Sequence, residues 1–247
     1  MKRRDLLIAT LVLLVLWYLL AILVDRPILP SPLIVLETLF QELLRGNLTV
    51  HFLASLWRVL ASTLLAVFTA APAGLVLGQS KRLNDLFSPV IYLLYPVPKV
   101  VLVPIILLFF GIGDLPKIII IFLILFFQIL VLVRDSAASL RPELIQSVRS
   151  LGAGRRALFR FVYLPASLPA VLTALRQSVG TAVAVLYVAE LFATQRGLGY
   201  YIYLNGSTLF NYPAMYGGVL LMSLLGLGLY FGVDLLERRL CPWKNPG

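Results

Sequence analysis

Long apolar runs separated by short polar segments make up nearly the whole chain. A helix needs about 20 apolar residues to cross about 30 Å of hydrocarbon, and roughly six stretches qualify. They are Leu6–Val24, Ala54–Leu77, Phe87–Phe110, Lys117–Val133, Pro165–Leu191 and Pro213–Leu236. This pattern predicts an all-α fold, a polytopic membrane helical bundle. Pro30 to Leu48 differs: Leu33, Leu36, Leu39, Phe40, Leu43 and Leu44 recur at helical spacing with Glu37, Gln41, Glu42 and Arg45 between them. Such a helix either lies along the outer membrane surface or packs on the other spans.

Residue size divides the spans further. Ser62, Ala66, Ala70, Gly74 and Gly78 recur every four residues in the second span, and Ala166, Ala170, Ala174, Ser178 and Ala182 do so in the fifth. Small side chains allow close backbone approach, so both spans belong at helix interfaces. The fourth, bulky from Ile118 to Phe127, is lipid-facing or core filler. Pro96, Pro98 and Pro104 interrupt the third, which is therefore not one straight helix. Discontinuous spans occur in transport paths, although proline kinks are also common elsewhere.

Composition agrees with the pattern. The 247 residues are 60% hydrophobic and 13% charged, with mean hydropathy +0.96, well beyond a soluble domain. The net charge of +10 needs no nucleic acid, because cytoplasmic loops collect Lys and Arg and no basic stripe alternates with aromatics. An N-terminus in the cytoplasm places two thirds of the 21 basic residues there, including Lys81, Arg82, the Arg134 to Arg160 segment, Arg238 and Arg239. The apolar run after Lys2-Arg3-Arg4 is too long for a signal peptide and lacks a small-x-small site, so it reads as an uncleaved span. One cysteine, Cys241, and one histidine, His51, leave neither a disulfide framework nor a metal cluster.

The most informative segment runs from Gln146 to Pro165. Arg149, Arg155, Arg156 and Arg160 each cost roughly 2.5–3.5 kcal/mol in hydrocarbon, so the segment lies in water or against another protein. Pro142-Glu143 opens a helix, Gly152-Ala153-Gly154 breaks it, and a second amphipathic turn continues to Leu164-Pro165. The result is a helix-turn-helix finger with Leu151, Leu158, Phe159 and Phe161 as apolar teeth. It is either a handle for a soluble partner or a solvated loop whose arginines meet lipid.

The spacing resembles the signature loop of permease subunits of bacterial ATP-binding-cassette importers: Glu-Ala-Ala, three residues, Gly, nine residues, Ile, one residue, Leu-Pro. Gln146-Ser147-Val148, Gly152, Val162 and Leu164-Pro165 stand at those positions, with Gln146 replacing the carboxylate and Ser147-Val148 the two alanines. Tyr95-Pro96-Val97-Pro98-Lys99, Pro104, Phe110-Gly111-Ile112-Gly113, Ala189-Glu190-Leu191-Phe192-Ala193 and Gly197-Leu198-Gly199-Tyr200 look like the nitrate, sulfonate, taurine and thiamine-precursor branch. The likeness covers about residues 54–236.

It implies a type I importer-like permease fold in a bacterial inner membrane, with both termini cytoplasmic. It further implies a second permease copy, two cytoplasmic ATP-binding subunits that hold ATP and Mg, and an extracytoplasmic substrate-binding protein. No cofactor is then expected in this chain. Residues 1–50 would form the first span and the amphipathic helix, 51–240 the permease core with a coupling loop at 135–164, and 241–247 a short cytoplasmic tail. The coupling residues would be Gln146, Ser147, Arg149, Leu151, Gly152, Ala153, Gly154, Arg155, Arg156 and Leu158.

Ionisable groups at membrane depth are expensive and invite a functional reading. Arg176 and Lys99 either attract an anion such as a sulfonate or nitrate, or are paired structurally. Glu190 meets the Gly197–Tyr200 loop or relays a proton, and Arg58 reads as an interfacial anchor. For a neutral ring compound, Tyr92, Tyr95, Tyr187 and Tyr200 would matter more. The competing functions are an ATP-independent carrier or channel and an integral-membrane enzyme. His-Glu-x-x-His, Gly-x-Ser-x-Gly and a phosphate-binding Gly-x-x-x-x-Gly-Lys motif are all missing from the sequence, so no catalytic or metal site is expected.

Overall fold

The computed structural model describes residues 3–192 and 194–244, and their side chains except those of Arg3, Leu6, Leu7, Arg155 and Lys244. Lys2, Ala193 and tail residues 245–247 lie outside the described residues. All regular structure described is helical, and the chain forms two compact units: Met1–Ser55 with Thr194–Leu224, and Leu56–Ala193 with Leu225–Gly247.

The first unit holds α1 (Arg3–Val24), α2 (Pro32–Leu44), the start of α3 (Leu48–Gln79), α10 (Leu198–Tyr203) with a π-helical turn (Leu204–Thr208), and the first half of α11 (Tyr212–Leu240). Proline begins α2, where its missing N–H costs nothing. One face of this amphipathic segment packs on the chain, with Val35 and Leu39 buried and Gly217 bringing α11 close to Leu39, while Leu33, Phe40 and Leu44 on the other face are exposed. The N-terminus of α10 is tied to α3 by two long-range bonds. Gly197 N–H donates to His51 Nδ1 at 3.1 Å and Leu198 N–H to Ser55 Oγ at 2.7 Å. Burial, together with the Glu42 carboxylate that accepts its hydrogen bond, pushes the Tyr201 phenol well above its ordinary pKa.

The second unit is built on α6 (Asp114–Ala138), whose Ile120, Ile121, Leu125, Ile129, Leu130 and Val133 are buried. Of the two roles left open for this bulky span, it takes the core. The small-residue stripe of α3 is what admits it: Ser62, Ala66 and Ala70 are fully buried, and a Cβ at Gly78 would come within 2.5 Å of the Arg134 carbonyl. On α9 (Leu164–Leu191), Ala174, Ser178 and Ala182 are likewise buried. Both stripes therefore lie at helix contacts, as small-residue spacing predicts.

The described helices include four long and apolar enough to cross a membrane: Leu48–Gln79, Asp114–Ala138, Arg156–Leu191 and Tyr212–Leu240. A fifth arises if the pair Lys81–Leu94 (α4) and Lys99–Phe110, bent by 74°, is one broken span. That second limb is a 3-10 turn, Lys99–Leu102, followed by α5 (Val103–Phe110). The bend falls at Pro96 and Pro98, where the sequence ruled out a straight helix. The apolar part of α1, Ile8–Val24, is shorter.

Candidate functional site

The arginine-rich segment folds as α7 (Pro142–Ser150), a turn, α8 (Arg155–Leu158) and a π-helical turn (Phe159–Tyr163) that runs into α9. Gly152 turns the chain at φ 82°, in the left-handed region where a Cβ is strained. Pro165 cannot donate to a carbonyl one turn back, and just before it Leu164 N–H reaches Phe159 O in the wider π pattern. Gln146, Ser147, Arg149, Leu151, Gly152, Gly154 and Arg156 are exposed and Ala153 is half-buried; Arg155 belongs to the turn by its backbone. Leu151 is 85% exposed at the tip. Leu158 is a correction: expected as a second tooth, it is buried, because it turns inward where the returning limb packs on the chain. Phe161, 68% exposed and beneath the Arg160 guanidinium, remains an outward apolar group.

The span charges form two separate clusters. In the first, the Arg58 guanidinium is buried; Nη1 donates to Glu190 Oε1 at 2.7 Å, and Nε and Nη2 donate to Asp114 Oδ1 at 2.8 and 2.7 Å. Lys117, also buried, donates to the Gly113 carbonyl beside it at 2.8 Å. Arg58 is thus not an interfacial anchor, and Glu190 has Arg58 as an ion-pair partner; burial in low dielectric makes opposite charges find each other. Sequence reasoning missed this cluster. The available signal was four ionisable residues of balanced sign at span ends, each too costly to leave alone.

In the second cluster Arg176 is ion-paired with Glu237 and lies 3.7 Å from Asp234, which also holds Arg238 at 3.0 Å. Its guanidinium stacks over Tyr230. Structural pairing is therefore what the geometry gives Arg176.

Lys99 has a similar fate at the break between α4 and α5. Its Nζ donates to the carbonyls of Leu94, Tyr95 and Val97 at 2.8, 3.0 and 3.2 Å, which engages all three ammonium donors, and it sits 4.6 Å from the Phe127 ring centroid. The prolines that break the helix free these carbonyls, and the lysine satisfies them. A cavity of about 380 Å³ opens here, lined by Tyr95, Lys99, Phe127, Gln128 and Thr181 among others. The structure thus brings Tyr95 and Lys99 together at one cavity. Tyr187 is half-buried on α9 and is not among its walls, and Arg176 and Glu190 belong to the ion-pair clusters.

Apolar helices, a bent span beside a cavity and an exposed arginine finger define a multi-pass membrane transport subunit. The chain belongs to the family of binding-protein-dependent transport system inner membrane components, whose profile matches residues 62–241. It is 34% identical to the taurine transport system permease protein of Escherichia coli strain K12, over 95% of this chain and 87% of that one. It is 29% identical to the formylaminopyrimidine transport permease protein of Halalkalibacterium halodurans, over 95% and 94%. A solved chain of the methionine ABC transporter in an inward-facing conformation has the same fold, with TM-score 0.71 at 20% identity, covering 81% of this chain and 98% of that chain. The type I importer-like fold and the permease class expected from the sequence are thereby established, and the chain is a permease subunit rather than an enzyme.

Proposed function

We propose that two copies of this chain line one pathway through which a small organic anion, a sulfonate of the taurine class, is imported. ATP and Mg are held by two cytoplasmic ATPase subunits that grip the finger, and an extracytoplasmic binding protein delivers the solute. Both termini face the cytoplasm, which keeps the finger and most basic residues on one side. The single observation carrying the mechanical part is the finger itself: Leu151 projects 85% exposed from a turn fixed by Gly152, flanked by exposed Arg149 and Arg156. A short helix wedged in a groove is a suitable mechanical link between a soluble motor and membrane helices.

The substrate class is supported by the similarity to the taurine permease over nearly the full chain. A second reading, a neutral or weakly polar ring compound, is favoured by one observation: the cavity at the break has aromatic walls in Tyr95 and Phe127, while its lysine already serves three carbonyls. The test is uptake into proteoliposomes holding this chain with its ATPase and binding protein. Uptake of radiolabelled taurine that needs MgATP and the binding protein is the expected result. Uptake of a formylaminopyrimidine in preference to taurine would establish the second reading. Solute flux through the chain alone would overturn the ATP-driven account.

A further inference from the structure

We infer that Trp243 is a positioning residue for the finger, a strut that ties the end of α11 to the root of α7. The inference rests on the reading of the finger as the ATPase contact. Three observations carry it. First, α7 has nine residues and buries none of them. A helix that short is marginal on its own, so its angle is set by whatever it packs against. Second, one face of α7, Leu144, Ser147 and Val148 at helical spacing, lines a groove of about 330 Å³ with Phe161, Val162 and Trp243. Trp243 is the contribution of the short 3-10 turn Pro242–Lys244 that follows α11, so the groove joins both limbs of the finger to a third element.

Third, that third element is anchored at its other end. Cys241 is buried and its N–H donates to the Glu237 carbonyl at 2.9 Å. Glu237 is ion-paired with Arg176 of α9, and Arg238 with Asp234. The Glu237–Arg176 pair thus fixes to α9 the end of α11 from which the turn springs, and the turn presents Trp243, half-exposed, to the groove as a large ring with only two side-chain torsions. A tilt of α7 reaches the spans by two routes: through α8 and the π turn into α9, and through Trp243 into α11. The second route makes the finger's angle and the position of α11 interdependent.

The chain carries three tryptophans, Trp17, Trp57 and Trp243, so 5-fluorotryptophan placed in this chain alone resolves them in the assembled complex with unlabelled ATPase in lipid nanodiscs. The expected result is a shift of the Trp243 fluorine resonance on addition of MgATP. In the same complex Trp243→Ala retains ATPase association but loses binding-protein-stimulated hydrolysis several-fold, and Trp243→Phe restores most of it. An unmoved Trp243 resonance in a complex that turns over, or full stimulation with Trp243→Ala, overturns the strut. Gly152→Pro separates the two readings. If it leaves stimulation intact, the finger reading fails; if only Trp243→Ala does so, the strut alone fails.

Discussion

The Arg58 guanidinium and the Glu190 carboxylate meet at 2.7 Å although 132 positions separate them, and neither side chain is more than 3% exposed. Removing one partner of such a pair leaves an uncompensated buried charge, a loss of about 3–5 kcal/mol. Arg58 would keep Asp114 if Glu190 were lost, whereas Arg58→Ala strips the buried Glu190 carboxylate of its guanidinium, so Arg58→Ala is expected to lower the midpoint of thermal unfolding in detergent by on the order of 10 °C. Arg58→Met with Glu190→Leu should recover most of that loss. A double variant as unstable as the single one would show that the pair is not the source.

Close approach of α3 and α6 gives a second expectation. A Cβ at Gly78 would lie 2.5 Å from Arg134 O and 2.6 Å from Ala137 Cβ, both on a helix that cannot retreat cheaply. Gly78→Ala should cost about 1–3 kcal/mol through overpacking. Gly180→Ala, where the added carbon meets nothing within 4 Å, should be neutral or stabilising by up to about 1 kcal/mol. Comparing the two in one thermal series checks this, and equal effects would refute it.

Lys99 separates a structural role from an anion-binding one. Its loss removes the shared donor of the exposed Leu94, Tyr95 and Val97 carbonyls at the bend, and an intramolecular hydrogen bond contributes a net stabilisation of about 0.5–1.5 kcal/mol. Lys99→Ala is expected to lower stability, with Lys99→Arg partly restoring it. If instead stability is unchanged while the KM for transported anion rises, the lysine is acting on the solute.

At the finger turn the penalty is torsional. Gly152 holds φ 82° and an added Cβ would meet no atom within 4 Å, so strain alone opposes substitution. Gly152→Val should loosen the turn by about 1–3 kcal/mol, visible as faster tryptic cleavage at Arg149 and Arg156, with Gly152→Asn milder. Gly154→Ala should match wild type, because Gly154 is not among the positive-φ residues. Indistinguishable digestion of all the variants would count against a fixed turn.

The tyrosine beside α2 makes a pH prediction. Tyr201 has its phenol pKa raised on folding by burial and by Glu42, so the folded state holds the proton more tightly than the unfolded chain. The associated stability is fully present below the unfolded value of about 10 and is lost as pH rises toward the folded value. Unfolding midpoints should therefore fall more steeply above pH 10 in wild type than in Tyr201→Phe, and parallel curves would exclude the linkage.

Much of this protein is determined by local sequence. Apolar runs of span length, the four-residue stripes of Ser62 to Gly78 and Ala166 to Ala182, the prolines at 96 and 98, and Gly152 between two arginine-bearing turns act through backbone chemistry or through the cost of polar groups in hydrocarbon. Each is legible from neighbours in the chain. Which side chain meets which was decided only by the tertiary structure. Arg58 reads as a span-end cation until α6 and α9 bring Asp114 and Glu190 to it. Leu158 and Leu151 look alike in sequence, yet one is buried and the other exposed. Lys99 resembles an anion trap until the bend offers it three carbonyls, and Trp243 gains meaning only beside α7. For Arg58, Leu158 and Trp243 the physical reason is that burial and charge pairing depend on distances between separate segments, of which helical periodicity carries no record; for Lys99 it is the direction in which the bend turns carbonyls two to five residues back.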